Sequence, residues 1–255
     1  MTDSSVSLKN TQGTSAIVLV CEHASAHIPP AYRELGLSGG ASESHIAWDP
    51  GASTTAMHLS KILDAVLIQS AVSRLVYDCN RPPEAHDAIP EHSEIYTIPG
   101  NENLSEVERQ HRVNCYYRPF ENTLSQLLQD HHSNPVLVTV HSFTPVYKGV
   151  PRDVELGILH DDDSRIADAM LNAIPETFRQ YSIQRNKPYD AADGVTHTLK
   201  LHGVSANRLN VMLEIRNDLL KTETQCLEMA QGIATWLTVA LDKLGKAATA
   251  KVPHS

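Results

Sequence analysis

Several stretches of this chain end in residue types that handle protons and metals. The apolar run at 16–21 (AIVLVC) is followed by Glu22 and His23, and the run at 135–140 (PVLVTV) by His141 and Ser142. Inside 210–218 (NVMLEIRND) sit Glu214, Arg216, Asn217 and Asp218. The segment 74–77 (RLVY) leads into Asp78, Asn80 and Arg81. Imidazole nitrogen suits zinc, and a catalytic zinc takes three protein ligands and keeps one position for water. His23 and His141, at equivalent strand ends, are the first two candidate ligands. The third is open among Asp49 in SHIAWDPGA, Glu22, His27 and His45, with Asp49 favoured. Glu22 would face away from His23 if the strand persists, and HIPP bends the chain around His27. Glu214 is a carboxylate set among apolar residues. Buried alone it would be costly, so it needs either a role as a base or a partner such as Arg74 or Arg216.

The elements that must position these groups follow from periodicity. Residues 16–21 are a continuous apolar run and 135–140, 154–159 and 211–215 are further apolar-rich runs, expected of strands buried on both faces. Residues 66–69 and 75–77 are shorter strand candidates. Helical spacing marks 54–65 and 164–174. A long helix at 222–244 has Leu227, Ile233, Leu237 and Leu241 as inward candidates. Ser105 and Glu108 form a capping box before a helix that should run to about residue 129, with Pro119 kinking or breaking it. Strands alternating with helices predict an α/β fold with a mainly parallel sheet, whose site lies beyond the carboxyl ends of the strands. The irregular, proline-bearing stretch 79–103 is long for a compact domain, which suggests a functional loop or lid.

Other residues with possible chemistry read more plainly. Asp161, Asp162 and Asp163 precede a helix and serve as cap and dipole partners. Ser38-Gly39-Gly40 is too short for a phosphate loop. His131 and His132 end a helix. There is no G-x-S-x-G elbow, and Cys21 near His23, at the end of a buried strand, reads as an inert core thiol.

Composition narrows the function classes. The 255 residues carry 21 Lys and Arg against 30 Asp and Glu, a net charge of −9, with 14 His. That acidity, without a basic stripe, argues against a nucleic-acid partner. No apolar run reaches membrane-span length, so no membrane partner is expected. Residues 1–15 are polar and lack the apolar core of a secretory signal, so they read as a flexible tail. One domain over 16–245 and a second tail at 246–255 complete the division. The four scattered cysteines fit free thiols in a reducing cytoplasm. Nothing in the sequence signals oligomeric state.

Five motifs in order, VCEHASAHIP (20–29), HIAWDPGA (45–52), SRLVYDCNRP (73–82), VHSFTP (140–145) and LEIRNDL (213–219), resemble the N-formylglutamate amidohydrolase family. The resemblance runs from about residue 16 to 220. It implies a three-layer α/β/α sandwich around a mainly parallel mixed sheet, similar to the zinc carboxypeptidase and aspartoacylase architecture. It also implies metal-dependent hydrolysis of a small-molecule N-acyl acidic amino acid, such as N-formyl-L-glutamate, within amino-acid metabolism and histidine degradation. Zn2+, or another divalent metal, would be held by His23, His141 and Asp49. Position 26 is Ala where the carboxypeptidase pattern His-x-x-Glu has its second ligand. Glu214 would act as general base toward the zinc-activated water. Arg74, Arg81 and Arg216 would bind substrate carboxylates and Asn80 would help orient the substrate. Apart from the resemblance, an Arg or His202 in KLHG is a candidate to steady the oxyanion, with a helix-end residue as the plain reading of His202. CEHASAHIP departs from the PHAGTHIP-like spelling of the histidine-degradation enzymes. Two alternatives carry different signatures: an inactive binding protein, with Glu214 locked in a salt bridge, and a metal-free hydrolase using Cys21.

Overall fold

Apolar runs without alternation must be covered on both faces. The computed structural model describes residues 5–37, 40–131 and 134–246, and it covers them with helices on each side of one sheet. The strands are β1 (Val6–Lys9), β2 (Ile17–Cys21), β3 (Val66–Ser70), β4 (His92–Ser93), β5 (Tyr96–Thr97), β6 (Val136–Phe143), β7 (Val146–Tyr147), β8 (Val150–Pro151), β9 (Leu156–Leu159), β10 (Ile183–Arg185) and β11 (Asn210–Arg216). Seven of them form the main sheet in the order β1-β3-β2-β6-β11-β9-β10, while β4–β5 and β7–β8 are separate two-stranded hairpins. Neighbours β3–β2, β2–β6, β6–β11 and β9–β10 run parallel; β1–β3 and β11–β9 run antiparallel. The sheet is therefore mixed and mainly parallel, as expected.

The helices are α1 (Ala52–Leu63), α2 (Glu106–Arg112), α3 (Arg118–Asp130), α4 (Arg165–Leu171) and α5 (Glu223–Lys243). Helices α1, α4 and α5 bury one sheet face, where Leu59, Met170, Ile233 and Leu237 meet Leu19, Val138 and Leu213. The other face carries α3 and the segment before it, where Tyr117, Phe120 and Leu124 meet Val18, Val20, Leu137 and Met212. The result is an α/β/α sandwich. A third apolar cluster, including Leu35, Ile46, Leu75 and Ile98, lies beneath the long loops.

Several local expectations change. Val6–Lys9 is no loose tail: it pairs antiparallel with β3 and forms the sheet edge. Its four residues carry too little apolar pattern to announce a strand. Residues 75–77 are buried but form a turn, because the Ser73 hydroxyl accepts from Leu75 N and the Ser73 carbonyl from Val76 N. The capping box at Ser105 and Glu108 forms, but the helix widens into a π turn at Val113–Tyr117 before Pro119. Proline lacks an N–H and clashes with the carbonyl four residues back, and a π turn accommodates both. Strand β6 continues to Phe143, so His141 lies within the strand rather than after it. Ser38, Gly39, His132 and residues 247–255 lie outside the described residues.

The stretch 79–103 is tied down rather than free. Arg112, buried at the end of α2, donates to the carbonyls of Val76 and Gly100 and to Asn101 Oδ1, and its guanidinium stacks on Tyr32. Asn101 in turn donates to the carbonyls of Leu75 and Pro90. This stretch forms a wall of the cleft described next.

Candidate metal centre and cleft

Side chains alternate across a strand, so His141 and Phe143 share the face of Leu137, and Glu214 that of Met212. Register places Glu214 beside His141 on the neighbouring strand. Asp49 arrives from the loop before α1, where its N–H donates to the His23 carbonyl. Gly51 then turns the chain at φ 82°; a side chain there would strike Leu220 Cβ at 2.4 Å. Ser142 pins the same loop through its Oγ to the Pro50 carbonyl.

Three buried donors converge. His141 Nδ1 lies 2.9 Å from Asp49 Oδ2, His23 Nδ1 lies 3.2 Å from that oxygen, and the two Nδ1 atoms are 3.2 Å apart. The far side of each ring meets a carboxylate: His23 Nε2 is 2.7 Å from Asp78 Oδ1, and His141 Nε2 is 3.1 Å from Glu22 Oε2. The second is an ion-pair contact off line for a hydrogen bond, since neither Glu22 oxygen nor His141 Nε2 has an aligned partner. Arg74 bridges Asp49 Oδ1 at 3.3 Å and Asp78 Oδ2 at 3.2 Å.

Charges explain how these groups titrate. Burial opposes protonation of His141, but Glu22 and Asp49 outweigh it and hold its pKa well above the ordinary range. For His23, burial and Arg74 lower the pKa, yet Asp78 and Asp49 leave it raised. Burial would raise Asp49 and Asp78; His23 outweighs it at both, helped by His141 at Asp49 and by Arg74 at Asp78, so both fall below the usual carboxylate range. Glu214 moves the other way: burial pushes it up to about 7. The carboxylates of Glu22, Asp49 and Asp78 thus draw protons onto two imidazoles whose Nδ1 atoms face each other. A divalent cation answers the same charge. Two imidazole nitrogens and one carboxylate oxygen, each ring braced from behind by a carboxylate, suit a three-ligand zinc site.

The centre opens into a cleft of about 870 Å³ lined by His23, Asp49, Arg74, Asp78, His141 and Glu214, among others. Among the described residues Glu214 is in no ion pair, and its Oε2 is buried without a hydrogen-bond partner. The locked salt bridge expected of an inactive binding protein is absent there. Cys21 is fully buried in the α1–α5 core, and burial holds its thiol well above the ordinary range, which disfavours a thiol nucleophile.

The other expected site residues are placed differently. Asn80 and Arg81 border the cleft but are engaged: Asn80 Nδ2 bonds the Val195 carbonyl, its Oδ1 accepts from Thr198 N, and Arg81 Nε donates to Asp87 at 2.6 Å. Arg216 lies outside the cleft lining, paired with Glu155 and Asp218. His202 also lies outside it, 6% exposed, in a π turn at Leu199–Gly203. Glu22 lies behind His141. His27 is exposed, and His45 pairs with Glu94 at 3.1 Å. The bracing roles of Asp78 and Glu22 were not read from sequence, although strand parity places Glu22 on the face of His141.

Comparison with known proteins bears on the family and the fold. The N-formylglutamate amidohydrolase family model matches residues 15–221. The crystal structure of gene product Atu2144 from Agrobacterium tumefaciens is similar at 47% identity and a TM-score of 0.92, covering 95% of this chain and 97% of that one. An N-formylglutamate amidohydrolase from Ralstonia eutropha JMP134 shares the fold at 16% identity and a TM-score of 0.64, over 95% of this chain and 99% of that one. No curated protein matches.

Proposed function

Since the chain belongs to the N-formylglutamate amidohydrolase family, we propose that it hydrolyses the amide of an N-acyl acidic amino acid, with N-formyl-L-glutamate as the reference substrate. The observation that carries this reading is the convergence of His23, Asp49 and His141 beside an unpaired buried Glu214. These three residues would hold a divalent metal, with zinc the best fit to the donor set. When bound, the metal supplies Lewis acidity toward the scissile carbonyl and makes water easier to deprotonate.

The chain's own groups do the rest. Asp78 and Glu22 hold the two rings with Nδ1 inward. Glu214 takes a proton from the attacking water and delivers it to the leaving nitrogen, giving a carboxylic acid and a free amine. A pKa of about 7 lets one group perform both transfers at neutral pH. Arg74, fixed by Asp49 and Asp78, offers its remaining N–H groups to the carboxylate next to the scissile amide. Among the described residues no helix is long and apolar enough to cross a membrane, and all four cysteines are free. We place the enzyme in the cytoplasm on the free thiols, which suit a reducing compartment.

The test is metal analysis of purified protein with hydrolysis assays on N-formyl and N-acetyl Glu, Asp, Gln and His. Glu214→Gln should keep the metal and lose roughly 10²- to 10⁴-fold in turnover. Protein that carries no metal and hydrolyses these amides in the presence of chelator would overturn the reading.

A further inference from the structure

A substrate with a second carboxylate needs a cation beyond Arg74, whose charge is shared with Asp49 and Asp78. Arg74, Arg81 and Arg216 are each paired with carboxylates. Two other cations line the cleft, Arg152 and Lys148, and among the described residues neither is in an ion pair. Arg152 is held without a carboxylate. Its guanidinium carbon lies 4.6 Å from the Tyr147 ring centroid, 4.9 Å from that of Tyr189 and 5.5 Å from that of Phe143. Its backbone is pinned at both ends, by N–H donation to the Pro145 carbonyl at 2.8 Å and by Arg216 Nη1 donating to its own carbonyl at 3.1 Å. Its Nη1 makes a long hydrogen bond to the Thr144 carbonyl at 3.4 Å. A guanidinium set against aromatic faces keeps its charge, is partly desolvated, and has further N–H groups for a planar anion.

Its place in the fold sets what it can reach. Phe143 follows His141 by two residues on the same face of β6, about 7 Å further along the strand. The β7–β8 hairpin, which carries Tyr147 and Lys148, rises immediately after it. We propose that Arg152, assisted by Lys148, forms a subsite for the side-chain carboxylate of the substrate, one side-chain length beyond the amide cleaved at the metal centre. Arg74 then serves the carboxylate adjacent to that amide. This assignment rests on the amidohydrolase reading above, and it makes Arg152 the residue that separates acidic from neutral N-acyl amino acids.

The experiment compares kcat/KM for N-formyl-Glu and N-formyl-Gln in wild type, Arg152→Met, Arg152→Lys and Lys148→Met, alongside calorimetric binding of glutarate to the same metal-loaded proteins. Loss of a charge-assisted, two-pronged contact should reduce the Glu-over-Gln preference about 10- to 100-fold in Arg152→Met, with a matching loss of glutarate affinity. Arg152→Lys should fall between, keeping charge without the fork. Lys148→Met, on an exposed hairpin, should show a smaller loss in the same direction. An unchanged Glu-over-Gln preference together with unchanged glutarate binding overturns the subsite. If the wild type cleaves none of these amides while glutarate binding still falls in Arg152→Met, the subsite stands and the hydrolase reading fails.

Discussion

His202 is buried in the π turn against β6 and β11, and its titration should make the fold sensitive to acid. Burial, with the nearby His197, lowers its pKa from 6.5 to about 4. The unfolded chain therefore takes up a proton that the folded protein refuses. Stability from this group is whole above pH 6.5 and is lost as pH falls toward 4. The gap between the two pKa values corresponds to roughly 3 kcal/mol at full protonation, of which about 2 kcal/mol is lost between pH 7 and pH 5. Substituting His202→Gln removes the titration and keeps a polar side chain of similar size. Urea unfolding of both proteins at pH 7, 6 and 5 gives the measurement. The wild type should lose about 2 kcal/mol more than the variant over that range. The groups of the metal centre are common to both proteins, so their acid titration cancels in the comparison. Parallel losses would show that His202 is protonated in the folded state, and the argument from its burial would fail.

Two further substitutions probe the centre from behind. Asp78→Asn leaves the His23 ring without its carboxylate and removes a partner of Arg74, so zinc affinity measured by chelator competition should fall roughly 10- to 100-fold. Gly157→Ala places a Cβ 1.9 Å from the Lys187 carbonyl oxygen and 3.1 Å from Glu214 Cβ. Thermal or urea unfolding should show a loss of about 1–3 kcal/mol, and turnover should fall because Glu214 is displaced.

The strands that carry the centre were legible because their runs are continuous and end abruptly in polar residues. His23 and His141 stand out on that ground alone. Asp49 needed the loop HIAWDPGA to fold back onto β2, which periodicity does not report. The arginines show the opposite limit. Arg216 reads in sequence as a substrate or Glu214 partner, yet Asp218 and Glu155, the latter 61 residues away, share its charge. Arg152 looks ordinary in GVPRDV and gains meaning only where three aromatic rings surround it. His202 drew attention as an imidazole beside Gly203, but the π turn buries it away from the cleft. Short edge elements such as β1 and β10 offer three or four residues each, too few for a pattern to rise above the surrounding loop.

The candidate ligand set joins positions 23, 49 and 141, so its two histidines are separated by 118 residues. No local fragment of the chain contains both rings, and a one-residue slip of β6 would turn His141 to the opposite face of the sheet. An ion that requires all three groups would find them together only after β2 and β6 have paired in the right register. Metal uptake would then mark the completion of folding, and its binding free energy would be added to the stability of the native sheet and withheld from misaligned ones.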